Sequence, residues 1–261
     1  MKTLKFILIA FAISLVTNIN AQTADEILDT YFENMGGLDN WLKVEGVKMS
    51  ATLNQGGMEI PLEIIQLKSG KRMTVINLQG QVLKQNVFDG ETLWGTNFQT
   101  QKPEKNDAET TEIFKLEMND FPDPFINYKE KGYTVEYLGK EDIEGTETFK
   151  IKLVKEPMMI DGVEEESVSF YFFDTENYIP IAVQSVIPIG PNKGMTSEAT
   201  FSDYQEVDGL YFPFSMTQGL KGQGGQPINF DKIELNPVVP DEDFMFPKEA
   251  AVTDDGNDNK N

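Results

Sequence analysis

The chain has 261 residues, with 43 acidic side chains against 22 basic ones, no His, no Cys and a formal net charge of −21. That balance repels nucleic acid and anionic membrane surfaces. The missing residue types exclude a Ser-His-Asp triad, thiolate chemistry, the commonest metal ligands and disulfide stapling, so the fold must rest on its core.

Residues 1–21, MKTLKFILIAFAISLVTNINA, have the three parts of a secretory signal. Lys2 and Lys5 form the basic region, Phe6 to Val16 is an apolar stretch too short for a good membrane span, and Ala21 is the small residue before cleavage. With no Cys after the signal, a bacterial lipoprotein anchor on this chain is excluded. The expectation is an exported, soluble, periplasmic protein that begins near Gln22. A single domain over 22–248 and a disordered acidic tail over 249–261 are expected.

Thr23 followed by Glu26 is a capping box, and Ile27, Leu28, Tyr31, Phe32 and Met35 then share one helical face. Gly36-Gly37 stops that helix, and a short second turn over 38–42 carries Trp41. After Gly46 the hydrophobic period changes from helical to strand-like. Phe149, Ile151 and Leu153 share a face, as do Val168, Phe170 and Phe172, and as do Leu210, Phe212, Phe214 and Met216. Turn pairs such as Asp89-Gly90, Asp161-Gly162 and Asp208-Gly209 separate such runs. The pattern predicts about eleven strands in mostly up-and-down order, with Pro213 at an edge or a bulge.

Residues 101–131 interrupt the meander. Asp107 is placed to cap a helix through Met118, and Asp123-Pro124 to start a short second helix, with Phe121, Phe125 and Ile126 flanking the break. An insertion of this length is either a lid or an ordinary crossover packed on the sheet.

Eleven strands about 4.8 Å apart make a sheet on the order of 50 Å wide, whereas one helix is about 10 Å across. Such a sheet must curl or split into two layers. Curling leaves a cavity lined by the alternating apolar set, and splitting fills the same space with those residues. Periodicity does not separate the two. The 11 methionines suit an adaptable apolar surface and ordinary core filling alike.

No catalytic residue, metal or cofactor is assigned. The glycine-rich Gly219–Gly225 run has no helix after it and is expected to be a hairpin tip. The acidic runs Glu164–Glu166 and Asp241–Asp243 read as solvated loops, and the DDGNDN stretch lacks the ligand spacing of a calcium loop. Enzymatic activity is not expected.

The hairpin VFDGETLW, Val87 to Trp94, resembles the SDGKTLW-type hairpin of the periplasmic lipoprotein carriers, the LolA-like group. Four further stretches resemble the broader set of outer-membrane lipoprotein-sorting proteins. They are YLGKEDIEGTETFKIKL from Tyr137, YFFDTENYIPI from Tyr171, FSDYQEVDGLYFPF from Phe201 and IELNPVVPDEDFMFP from Ile233. The resemblance extends from about Ala24 to Pro247. It implies a mainly β fold with a few helices: an incomplete, strongly curved antiparallel β-barrel with an N-terminal helix and a helical lid. It also implies that the cavity holds acyl chains of lipoproteins or other lipids for transfer toward the outer membrane, between donor and acceptor proteins at the membranes. On that reading Phe88, Leu93, Trp94, Phe149, Phe170, Phe172, Phe212, Phe214 and Met216 line the cavity, Phe121, Phe125 and Ile126 belong to the lid, and the protein is a monomer. The alternative is a binding or sensing module on the same fold, with a partly filled cavity and a protein partner. Carriers of this group have an Arg followed by Pro in the strand before the hairpin, tied to lid closure. Here the stretch reads QLKSGKRMTV: Lys68 falls nearest to that position, Arg72, the one Arg in the chain, lies four residues on, and neither is assigned to it.

Overall fold

A computed structural model describes residues 22–55 and 57–247. The expected signal over 1–21 and the expected tail over 249–261 lie outside the described residues.

Helix α1 (Ala24–Asn34) starts at the capping box. The Thr23 hydroxyl accepts from the Glu26 N–H at 3.2 Å, and the Glu26 carboxylate accepts from the Thr23 N–H at 2.9 Å. Its apolar stripe, Ile27, Leu28, Tyr31 and Phe32, is buried, each full burial being worth about 1.5–3 kcal/mol. Gly36 ends the turn with φ of 103° and lies so close to the Gly209 carbonyl that a Cβ there would stand 2.1 Å from its oxygen. Helix α2 (Leu38–Trp41) follows and lays Trp41 against Phe212, ring centroids 5.0 Å apart.

The strands form two meanders. The first is β1 (Gly46–Gln55), β2 (Met58–Leu67), β3 (Arg72–Leu78), β4 (Gln81–Phe88), β5 (Leu93–Thr96) and β6 (Pro103–Lys105). Helix α3 (Ala108–Met118) crosses to the second meander, and its cap is Asp107, whose carboxylate accepts from the Thr110 N–H at 2.7 Å. The second is β7 (Thr134–Ile143), β8 (Thr146–Ile160), β9 (Val163–Asp174), β10 (Pro180–Val186), β11 (Thr196–Val207), β12 (Leu210–Leu220) and β13 (Gly225–Leu235). All pairings are antiparallel, and β13 returns to pair with β1.

The described residues thus hold thirteen strands rather than about eleven. Strand β6 is three exposed residues, so no apolar alternation marks it in the sequence. Nor is there a helix at Asp123-Pro124. The Asp123 carboxylate instead accepts from the Phe125 N–H at 2.8 Å, the local bond that favours a turn over a helix. Pro213 pairs opposite Tyr204, next to Asp203, whose φ of 54° interrupts the ladder where a proline can be accommodated.

The sheet is curled and open. Strands β6 and β7 are its unpaired edges. Helix α3 touches both β5 and β8, which lie ten places apart in the strand order. Laid flat, those strands would be roughly 48 Å apart, and an 11-residue helix is only about 16 Å long. The curl brings them within reach. It turns partly at β13, whose first half pairs with β12 and whose second half, from Phe230, pairs with β1. The result is the incomplete, strongly curved antiparallel half-barrel that the motifs imply, with α1 against its inner face and α3 across the gap between its edges.

The outer face of the first meander is covered too. Residues after β13 run back over β2–β5 and place Phe244, in a turn of 3-10 helix over Asp241–Phe244, among Ile65, Met73, Val87 and Trp94. Lys71 and Lys84 fasten this strap through Asp241 and Asp243, at 2.6 and 3.4 Å.

Candidate functional site

The inner face of the sheet and the stripe of α1 share one apolar core, but they do not fill all the space between them. A cavity of about 380 Å³ remains where α1, α2, the 121–123 turn and the inner faces of β1, β2 and β9–β12 meet. Tyr31 and Met35 of α1 and Trp41 of α2 form one side. Val47 and Met49 of β1, then Tyr171, Val183, Ala199, Phe201 and Phe212 of the second meander, form the other. The size falls in the usual range of about 300–1,000 Å³ for small-molecule pockets, and the lining is mainly aromatic and aliphatic.

One carboxyl group faces this apolar space. Asp123 accepts from the Tyr31 hydroxyl at 2.7 Å, besides the Phe125 N–H. Burial pushes its pKa up to about 6, while the two hydrogen bonds and Lys131 act the other way. The same burial, with Asp123 nearby, raises the phenol of Tyr31 well above its ordinary value, and Tyr171 and Tyr204 are raised likewise. The tyrosines are therefore neutral donors at any physiological pH. Tyr204 spends its hydroxyl on the Pro180 carbonyl at 2.5 Å.

The residues expected at the cavity divide into four places. Phe212 and Phe121 line it. Phe149, Phe214 and Met216 face the same interior but belong to the packed core beside it. Phe149 sits among Tyr137 and Tyr178, with ring centroids at 5.9 and 5.1 Å. Phe125 and Ile126 are buried in that core as well, Phe125 edge-on to Tyr171 at 4.7 Å. Their packing anchors the 121–126 turn to the core.

Phe88 and Leu93 form a separate cluster with Phe114 and Met118 of α3. Phe88 meets Phe114 at 5.5 Å, edge to face. Arg72 reaches the same helix, its guanidinium 5.7 Å from the Phe114 ring, where burial lowers its pKa and Glu117 partly offsets this. Lys68 instead lies in an exposed turn and pairs with Glu45 at 2.6 Å. Between Lys68 and Arg72, it is Arg72 that meets α3.

Trp94, Phe170 and Phe172 require correction: they lie on the outer face. Trp94 pairs with Val87, while Phe88 pairs with Leu93, so the two pairs point to opposite sides of the sheet. The Trp94 indole donates to the Phe244 carbonyl at 2.9 Å, under the C-terminal strap. In β9, Phe173 pairs with Phe149 and faces Tyr31 at 5.3 Å, whereas Phe172 pairs with Lys150. The Lys150 ammonium stands 5.0 Å from the Phe170 ring and 5.4 Å from the Phe172 ring, covering both from outside. Tyr31, Tyr171, Tyr204 and Asp123, which the sequence does not single out as site residues, are polar members of the cavity, together with Gln66 and Tyr211. The one available signal was Asp123 itself, an acid set in the apolar stretch FPDPF.

Among the described residues no group of three or more acids is placed to hold a metal ion, and no helix is long and apolar enough to cross a membrane.

No family model and no curated protein matches the sequence. In structure the chain is similar to a LolA superfamily protein from Nitrosomonas europaea, at 14% identity and a TM-score of 0.49, over 86% of this chain and 98% of that one. It is similar to an outer-membrane lipoprotein-sorting protein domain from Vibrio parahaemolyticus, at 12% identity and 0.47, over 84% and 94%. It is also similar to a DUF1329 family protein from Desulfovibrio piger, at 10% identity and 0.49, over 85% and 96%.

Proposed function

We propose that the protein is an exported, non-enzymatic carrier that holds an apolar chain, the acyl group of a lipid or a lipidated protein, in the cavity beneath α1, and passes it between partners in the periplasm. The observation that carries this reading is the cavity of about 380 Å³ left between α1 and the curled sheet, walled by aromatic and aliphatic groups and closed on one side by the 121–126 turn. Its walls supply apolar surface and one titratable carboxyl, Asp123, an arrangement suited to binding. Each buried methylene contributes about 0.8 kcal/mol, so a chain of sixteen carbons offers on the order of 10 kcal/mol before the costs of ordering and immobilisation. Release then calls for an acceptor that competes for the chain or for an opening of the helical cover.

Native mass spectrometry tests this reading, on protein from residue 22 onward isolated from a periplasm without detergent. The expected result is an added mass that extracts as lipid. Val183→Trp, which fills the cavity from β10, should remain folded and lose that mass. A bare mass, with no uptake of a fluorescent acyl probe, would contradict the carrier and favour a filled module that binds a protein.

A further inference from the structure

A second cavity, of about 460 Å³, lies between α3, the 68–70 turn and the segment leading to β7. Its charge is unlike that of the chain. In a sequence with 43 acids and 22 bases, its walls carry Lys68, Lys115 and Lys131 against one carboxylate, Glu156. Lys68 is answered by Glu45, and Lys115 stands 3.9 Å from Glu112 at the surface. Lys131 is different. Its ammonium is buried and makes no hydrogen bond to any described residue, and it rests 5.7 Å from the Tyr133 ring.

The two acids whose fields reach it, Asp120 and Asp123, are already engaged. Asp120 is held by Lys155 at 2.5 Å and by the Tyr133 hydroxyl at 3.2 Å, and Asp123 by Tyr31. A buried ammonium without a partner is costly. Burial lowers the Lys131 pKa, and the fields of Asp120 and Asp123 pull it partly back. An anion entering this cavity would supply the missing partner. The cavity also adjoins the first, because Phe121 lines both, and Phe88 and Met118 give it an apolar wall on the side of α3.

We propose that this cavity receives the anionic head group, a phosphate or carboxylate, of an amphiphile whose chain lies in the cavity beneath α1, with the Lys131 ammonium as its main contact. The proposal rests on the apolar-chain reading and narrows it from any lipid to an anionic one.

The test compares three probes at low ionic strength: hexadecyl phosphate, hexadecanol and inorganic phosphate, each titrated calorimetrically. The wild-type protein should prefer hexadecyl phosphate over hexadecanol by about tenfold, the order expected for one hydrogen bond to an ion. Lys131→Met should bring the ratio close to one and leave hexadecanol binding unchanged. If that variant does not fold, Lys115→Gln, at the surface, should lower the ratio by a smaller factor, and added salt should lower it further. Equal affinity of the wild type for the two amphiphiles would overturn the head-group site and leave the carrier reading standing. So would a preference that both variants retain. Binding of neither amphiphile would overturn both readings. Uptake of inorganic phosphate alone, lost in Lys131→Met, would identify a free-anion site and overturn the head-group assignment.

Discussion

The Tyr31 hydroxyl donates to Asp123 Oδ2 over 2.7 Å, and this bond joins α1 to the turn that closes the cavity. It places an ionisable group at the junction of the two elements that cover the sheet. Anything that moves the charge of Asp123 acts on both.

Stability should therefore depend on pH through this residue. The folded pKa of about 6 lies above the ordinary 3.8, so the folded state binds more protons between those values. Below about pH 4 Asp123 is protonated in both states and its burial costs little. As pH rises from about 4 to 6 the unfolded state gives up its proton first, so stability falls by about 3 kcal/mol, and above that Asp123 is ionised in both states. Asp123→Asn should remove that loss. Thermal melts of the two proteins should diverge between pH 4 and 7, the variant gaining on the wild type. Tyr31→Phe removes a bond that favours the ionised form and should shift the divergence to higher pH.

The docking of α1 rests on glycine. A Cβ at Gly36 would meet the Gly209 carbonyl oxygen at 2.1 Å, whereas one at Gly37 would find nothing nearer than Asn40 at 3.9 Å. Both residues have positive φ, so both alanine variants pay conformational strain of about 1 kcal/mol. Gly36→Ala should lose about 2–4 kcal/mol, because the clash is with backbone and adds to that strain. Amide exchange at Tyr211, whose N–H donates to the Met35 carbonyl at 3.2 Å, should accelerate in Gly36→Ala and not in Gly37→Ala.

The two tryptophans should report on different places. Trp41 lines the cavity, and Trp94 lies on the opposite side of the sheet under the strap. In Trp94→Phe the remaining fluorescence should change when an acyl probe binds. In Trp41→Phe it should not. A response from Trp94 of similar size would contradict its placement.

The strap itself should hold stability without touching uptake. Phe244 is fully buried against Ile65, Met73, Val87 and Trp94. Phe244→Ala should cost about 3–5 kcal/mol and shift Trp94 emission to the red. Acyl-probe affinity, measured well below the melting temperature, should stay within a factor of two or so of the wild type, since no cavity wall is removed.

Much of the local chemistry is legible in the order of residues. The capping boundary of α1, the Asp107 cap of α3 and the Asp-Gly hairpins depend on bonds between residues three or four apart, and each appears where its signal lies. Where the signal is absent or double, sequence and structure part. Strand β6 has no apolar face to show. Around Trp94 and Phe172 both faces of the strand are apolar, so a period of two cannot say which one turns inward.

Composition and local periodicity are enough to specify a long antiparallel meander with one well-capped amphipathic helix and no His or Cys chemistry, because each of those properties is carried by residues close together in the chain. They do not specify which aromatic faces the cavity, that Asp123 meets Tyr31 across 92 residues, or that Lys131 lacks a hydrogen-bond partner among the described residues. Those facts arise from strand register and from the curl that brings distant edges under one helix, and no short stretch of chain sets either.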